Sequence, residues 1–181
     1  QFRSFANLGN TTFDQHGVCF TIAGLSGLAW TGPEFGGDAT TYLAVMDNSN
    51  KLVRLSIALA PDGSIVNAAI APVAGISLSD NRDFEDIAFR GAARDTVFLS
   101  EEGVPEVREY SLASGTLVGT IPRPSIFGNR RANLGFESLS LNRTRSRLWT
   151  ANEEALSVDG GVSTTAAGTW IRLLQYDATQ N

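Results

Sequence analysis

Short apolar runs rich in β-branched and aromatic residues alternate with polar turn signals along this chain, and helical periodicity is nearly absent. The runs fall at residues 42–46, 52–57, 65–70, 87–89, 96–99, 107–112, 117–121, 139–141, 148–151 and 170–176. Between them stand Asp47-Asn48-Ser49-Asn50, Pro61-Asp62-Gly63, Ser114-Gly115 and Asn142-Arg143-Thr144, all turn-forming. Strands of this length and spacing predict an all-β sandwich, barrel or propeller.

Self-comparison separates these architectures. Phe84-Glu85-Asp86-Ile87-Ala88-Phe89 returns 52 residues later as Phe136-Glu137-Ser138-Leu139-Ser140-Leu141. The next strand keeps the offset, with Val97-Phe98-Leu99-Ser100-Glu101-Glu102 against Trp149-Thr150-Ala151-Asn152-Glu153-Glu154. An earlier, weaker copy runs Leu25-Ser26-Gly27-Leu28-Ala29-Trp30 and then 42–47. Each copy continues to a third strand ending near Leu55, Tyr110 or Tyr176, and the first two add a fourth at 65–70 and 117–121. Four antiparallel strands per ~50 residues is the arithmetic of a β-propeller blade. A sandwich gives no reason to repeat a Glu-to-Glu interval of 16, from Glu85 to Glu101 and from Glu137 to Glu153. The expectation is an all-β β-propeller of four-stranded blades, with copies at 25–75, 83–124 and 135–181. Three copies are too few for a ring of four to eight blades. The chain therefore reads as part of a larger propeller, completed by the rest of its polypeptide or by another subunit.

Composition removes several chemistries. Cys19 is the only cysteine and His16 the only histidine, which excludes intrachain disulfides, thiolate clusters and multi-histidine zinc sites. His16 lies in Asp14-Gln15-His16-Gly17 and reads as a surface turn residue. No Gly-x-Ser-x-Gly elbow occurs. A net charge of −5 argues against a nucleic-acid partner. No run approaches the ~18–20 apolar residues of a membrane-spanning helix. The chain opens on Gln1 with no leader-like segment and reads as a processed or excised product.

In a propeller blade the first strand leaves one face along the channel and the second returns to it. The start of the first strand and the end of the second then lie side by side near the axis. Carboxylates occupy these positions: Asp47, Asp83, Glu85, Glu101, Glu137 and Glu153, with Glu102 and Glu154 beside them and Asp80, Asn81 and Asn152 as peripheral helpers. Like charges converging on one mouth call for a cation or a proton. Oxygen donors without His or Cys favour Ca²⁺, or Mg²⁺ with retained waters. Glu85, Glu137 and Glu153 are the candidate catalytic carboxylates. Arg130, Arg131 and Asn133, in the connection to the third copy, are candidates for holding substrate charge.

These residues resemble a known family, the phytase-like proteins described as having esterase-like activity of phytase. The resemblance rests on Gly24-Leu25-Ser26-Gly27-Leu28, Asp83-Phe84-Glu85-Asp86-Ile87-Ala88, Asn133-Leu134-Gly135-Phe136-Glu137-Ser138-Leu139, Leu148-Trp149-Thr150-Ala151-Asn152-Glu153 and Arg172-Leu173-Leu174-Gln175-Tyr176-Asp177. It departs from the family at Asp86 and Ser138, where glycine usually follows the motif glutamate, and it breaks off after Asp177. The resemblance implies a secreted or periplasmic propeller and a calcium-dependent hydrolase acting on a small phosphate or carboxylic ester. The alternative is a non-catalytic extracellular propeller for binding or surface assembly, with structural Ca²⁺.

Overall fold

In the computed structural model, which describes residues 2–179, the strands form three sheets. The first holds β1 (Thr11–Asp14), β2 (Cys19–Thr21), β3 (Leu25–Trp30), β4 (Thr41–Met46), β5 (Ser49–Leu59) and β6 (Ile65–Arg82), in the order β2-β1-β6-β5-β4-β3. The second holds β7 (Phe84–Phe89), β8 (Thr96–Glu101), β9 (Glu106–Ser111) and β10 (Leu117–Ile121) in simple succession. The third holds β11 (Ser140–Leu141), β12 (Arg147–Ala151) and β13 (Leu173–Asp177). Neighbouring strands pair antiparallel except β1 and β6, which are parallel. β7 runs beside both β3 and β11 without sharing a ladder with either. The sheets are thus successive β-propeller blades stacked face to face around an axis lined by their first strands, and they form part of a ring rather than a closed one.

The reason is visible in β8, where all six residues are buried. Val97 and Leu99 face the first blade, packing with Leu43, Val45, Leu52 and Ile76. Phe98, between them, faces the third and packs with Phe136, Leu139 and Leu148. Alternate side chains leave a strand on opposite faces, so one apolar run seals two interfaces. Aromatic contacts fill both cores: Phe84 meets Tyr110 of the same blade edge-on at 5.7 Å, and Phe127 meets Phe136 at 5.0 Å. The reversals around this core fall on residues that tolerate a left-handed backbone, Asn48 at φ 49° and Asp95 at φ 50°.

The β1–β2 hairpin extends the first blade beyond four strands. Thr12 Oγ1 donates to the Ala71 and Pro72 carbonyls, and Asp14 accepts from Lys51 Nζ at 2.9 Å and Ser77 Oγ at 2.6 Å. The backbone amides of His16 and Val18 also donate to Asp14, which forms the turn. The Ser77 hydroxyl and Lys51 ammonium hold the Asp14 carboxyl well below the usual carboxylate range. His16 sits exposed at the hairpin tip. Among the described residues no helix is long and apolar enough to cross a membrane.

The second and third blades are tied by charge as well as packing. Arg90 Nη1 donates to Glu109 at 2.6 Å, Thr96 Oγ1 donates to the same oxygen at 2.6 Å, and Arg90 Nη2 reaches the Ala178 carbonyl. Arg90 and Glu109 are both buried, so removing one partner strands the other's charge. Glu109→Ala is expected to cost about 3–5 kcal/mol in urea unfolding, whereas Arg3→Ala, at the exposed Arg3–Asp62 pair, should stay within about 0.5 kcal/mol of the parent.

Candidate metal centre

The same end of each blade is closed by one backbone hydrogen bond. Asp47 N donates to Gly24 O at 2.7 Å, Glu102 N to Asp83 O at 2.9 Å, and Glu153 N to Gly135 O at 3.1 Å. Asp47, Glu102 and Glu153 are therefore equivalent positions at the ends of the second strands. At the start of the first strands the equivalents are Ser26, Glu85 and Glu137. In β3 the pairing jumps from Leu25↔Met46 to Gly27↔Val45, and in β7 from Phe84↔Glu101 to Asp86↔Ser100. Each jump is a bulge that leaves Ser26 or Glu85 outside the ladder and re-aims its side chain.

These positions converge. Asp47, Asp83 and Glu85 each place a carboxylate oxygen within 4.8 Å of the others, and so do Glu85, Glu102 and Glu137. Glu85 belongs to both groups. Close approach of the backbones helps: a Cβ on Gly135 would lie 2.8 Å from Glu102 Cα, so only glycine lets the third blade enter here. Glu102 is 4% exposed, and its carboxylate lies beside those of Glu85 and Glu137. Asp83 Oδ1 is buried without a hydrogen-bond partner. Burial pushes the Asp83 carboxyl up to about 6, with Asp47 and Glu102 adding repulsion. Burial also lifts Glu85 and Glu137 to about 7, reinforced by the surrounding acids, Glu153 among them. Glu153 itself is exposed at the rim.

Other candidate residues are engaged elsewhere. The structure replaces Glu101 by Glu102 in the acidic group. Glu101 turns to the opposite side of the strand end and accepts from Arg82 Nη1 at 3.2 Å and from Arg108 Nε. That pairing continues through Glu106 to Arg123. Glu154 accepts from Ser163 Oγ and from the Ser163 and Ala155 amides, and the Ser163 hydroxyl leads in holding its carboxyl down at about 2. Asp80 accepts from the Tyr110 hydroxyl at 2.9 Å, and Asn81 is exposed. Asn152 is buried and accepts from the Arg172 amide at 2.7 Å. Arg130 donates to the Gly103 carbonyl, while Arg131 donates to Ala155 O at 3.0 Å and Gly160 O at 2.6 Å. Both arginines thus brace loops on the acidic face. Asn133 is exposed, in a left-handed backbone conformation at φ 57°.

The family model for phytase-like proteins, described as esterase-like activity of phytase, matches residues 21–181. This chain belongs to the phytase-like family. No curated protein sequence matches it. Solved structures similar to this phytase-like chain include a candidate 6-phosphogluconolactonase from Bacteroides uniformis, at 15% identity and TM-score 0.45, covering 93% of this chain and 50% of that one. A luciferin-regenerating enzyme aligns at 11% identity and TM-score 0.43, covering 76% of this chain and 41% of its own. YCF48 bound to D1 peptide aligns at 17% identity and TM-score 0.42, covering 77% and 36%. The chain spans half or less of the length of these structures.

The donor set of this phytase-like chain fits a hard cation: every candidate ligand is a carboxylate oxygen, and Asp83 Oδ1 is buried with no hydrogen-bond partner. Without a cation, protons must take that role. Folded-state values above those of the unfolded chain mean that the protonated carboxyls stabilise the fold. That stability is complete below the ordinary carboxylate range of about 4 and is lost as pH rises through about 6 for Asp83 and about 7 for Glu85 and Glu137. In chelator-containing buffer the melting midpoint should fall between about pH 5 and about pH 8. Glu85→Gln and Glu137→Gln should each flatten that fall, as read by circular dichroism.

Proposed function

We propose that this chain carries the cation-binding half of a hydrolase acting on small phosphate or carboxylic esters. The observation that supports it best is Asp83 Oδ1, a buried carboxylate oxygen without a hydrogen-bond partner that sits beside the carboxylates of Asp47 and Glu85. A cluster so costly in isolation makes sense where a cation completes it. Asp47, Asp83, Glu85, Glu102 and Glu137 would hold Ca²⁺, which when bound polarises an ester or phosphoryl oxygen as a Lewis acid. Glu153, at the exposed rim, is positioned to take a proton from water entering the mouth, in the role of general base. Arg130 and Arg131 keep guanidinium edges on the same face and orient the Gly103 and Ala155–Gly160 backbones around the entrance. A secreted or periplasmic setting suits a site of this kind, since extracellular Ca²⁺ modules work at roughly 10⁻⁴–10⁻³ M.

A second reading is a non-catalytic propeller in which the cation is structural. It is favoured by the commitment of Arg130 and Arg131 to carbonyl oxygens, which leaves less cationic surface for substrate. The two readings separate on turnover. With p-nitrophenyl phosphate and p-nitrophenyl acetate, the hydrolase reading expects Ca²⁺-dependent release of p-nitrophenol that EDTA stops. Glu85→Ala and Glu137→Ala should bring it to background. Calcium-dependent melting with no turnover on either ester would support the structural reading, and turnover that survives EDTA and both substitutions would sink the proposal.

A further inference from the structure

Asp86 follows Glu85 in β7, at the position that is Gly27 in the first blade and Ser138 in the third. Its carboxylate lies where all three blades meet. One oxygen accepts the Ile87 amide of its own strand at 2.8 Å. The other crosses the blade boundary and accepts the Leu139 amide at 2.7 Å. On the opposite side, a Cβ on Gly27 would stand 2.5 Å from Asp86 Oδ1 and 2.6 Å from Asp86 Cα, so the first blade leaves room for this residue by omitting a side chain.

The Leu139 amide needs this partner. β11 pairs in a ladder only at Ser140 and Leu141, and upstream the third blade is held by the Phe136↔Asn152 bridge and by Glu137 N donating to Ala151 O at 3.2 Å. Leu139 falls between those supports, two residues after Glu137. A backbone amide at such a place pairs with something or costs stability. The corresponding link from the first blade to the second is Ser26 Oγ donating to Phe84 O at 2.8 Å, one residue before Glu85. Side-chain bonds between blades therefore flank both carboxylates that start the first strands.

We propose that Asp86 is a positioning residue for the acidic centre: by holding Leu139 against β7 it sets the spacing between Glu85 and Glu137. This rests on the reading of that centre as a cation site. Serine cannot reach across the boundary as aspartate does, and asparagine offers one acceptor where two amides need one each.

Terbium(III) luminescence tests it, since Tb³⁺ occupies hard oxygen sites and its decay lifetime reports the number of bound waters. Asp86→Asn and Asp86→Ser are compared with the parent; the serine variant places in β7 a residue the third blade already carries at this position. The expected result is roughly 10–100-fold weaker Tb³⁺ affinity, the range found when groups supporting metal ligands are removed, together with more bound waters as Glu137 leaves the ion. Unchanged affinity and hydration in the folded variants would overturn the positioning role, even if the metal-free protein melts earlier. Failure of the parent chain to bind Tb³⁺ is a different outcome: it overturns the cation reading itself, and this assignment with it.

Discussion

The middle blade of this molecule buries two faces at once, and that constraint shapes the rest. A strand such as β8 has no solvent side: Val97 and Leu99 belong to one interface and Phe98 to the next. Polar groups are thereby driven to the strand ends and to the first-strand edges along the axis. Charges admitted between blades come with partners: Arg90 and Glu109 enter as a pair with a hydroxyl and a carbonyl completing their bonds. Carboxylates at the strand ends then have nowhere to go but toward each other.

Their convergence depends on local irregularity rather than on the regular ladder. The bulges at Ser26 and Glu85 take these residues out of pairing and aim them along the axis. Ser26 does not carry a charge, so the first blade contributes its acid from the second strand, at Asp47. The second blade contributes from both strands and from Asp83 just before them, while the third adds Glu137 at the centre and Glu153 at the rim. The result is a lopsided acidic group, densest at the second blade, with Glu85 shared by both halves.

Much of the fold is legible in the chain itself because β-branched and aromatic runs, separated by Asn, Asp and Gly turns, leave few alternatives to strands. The β1–β2 hairpin is not legible. Its strands are short and polar, and what holds them is the chemistry of Thr12 and Asp14 against partners about 60 residues away. The last strand is shorter than its apolar run suggests: β13 begins at Leu173, and Trp170 and Ile171 stand in solvent. At the centre, matching the copies at a constant offset aligns Glu101 with Glu153, yet the closing hydrogen bonds align Glu102 with Glu153. These two copies slip by one residue between their first and second strands, and two adjacent glutamates in each of them hide the slip. The side-chain role of Asp86 was equally out of reach, because nothing in a linear pattern says which amide on a neighbouring blade lacks a partner.

The hairpin's anchor gives the molecule an unusual chemical property. Lys51 is the only lysine in the chain. Its amine is bound by Asp14 and Ser77, lies 5.2 Å from the centre of the Phe20 ring, and is only 16% exposed. Hairpin lifting from β6 would free that amine from its partners, so it should react with an amine-directed reagent faster when the hairpin opens. The rate of acylation at Lys51, separated from the chain's α-amine by peptide mapping, becomes a clock for the opening of one edge of the first blade, legible in a mass spectrum without any label having been engineered in.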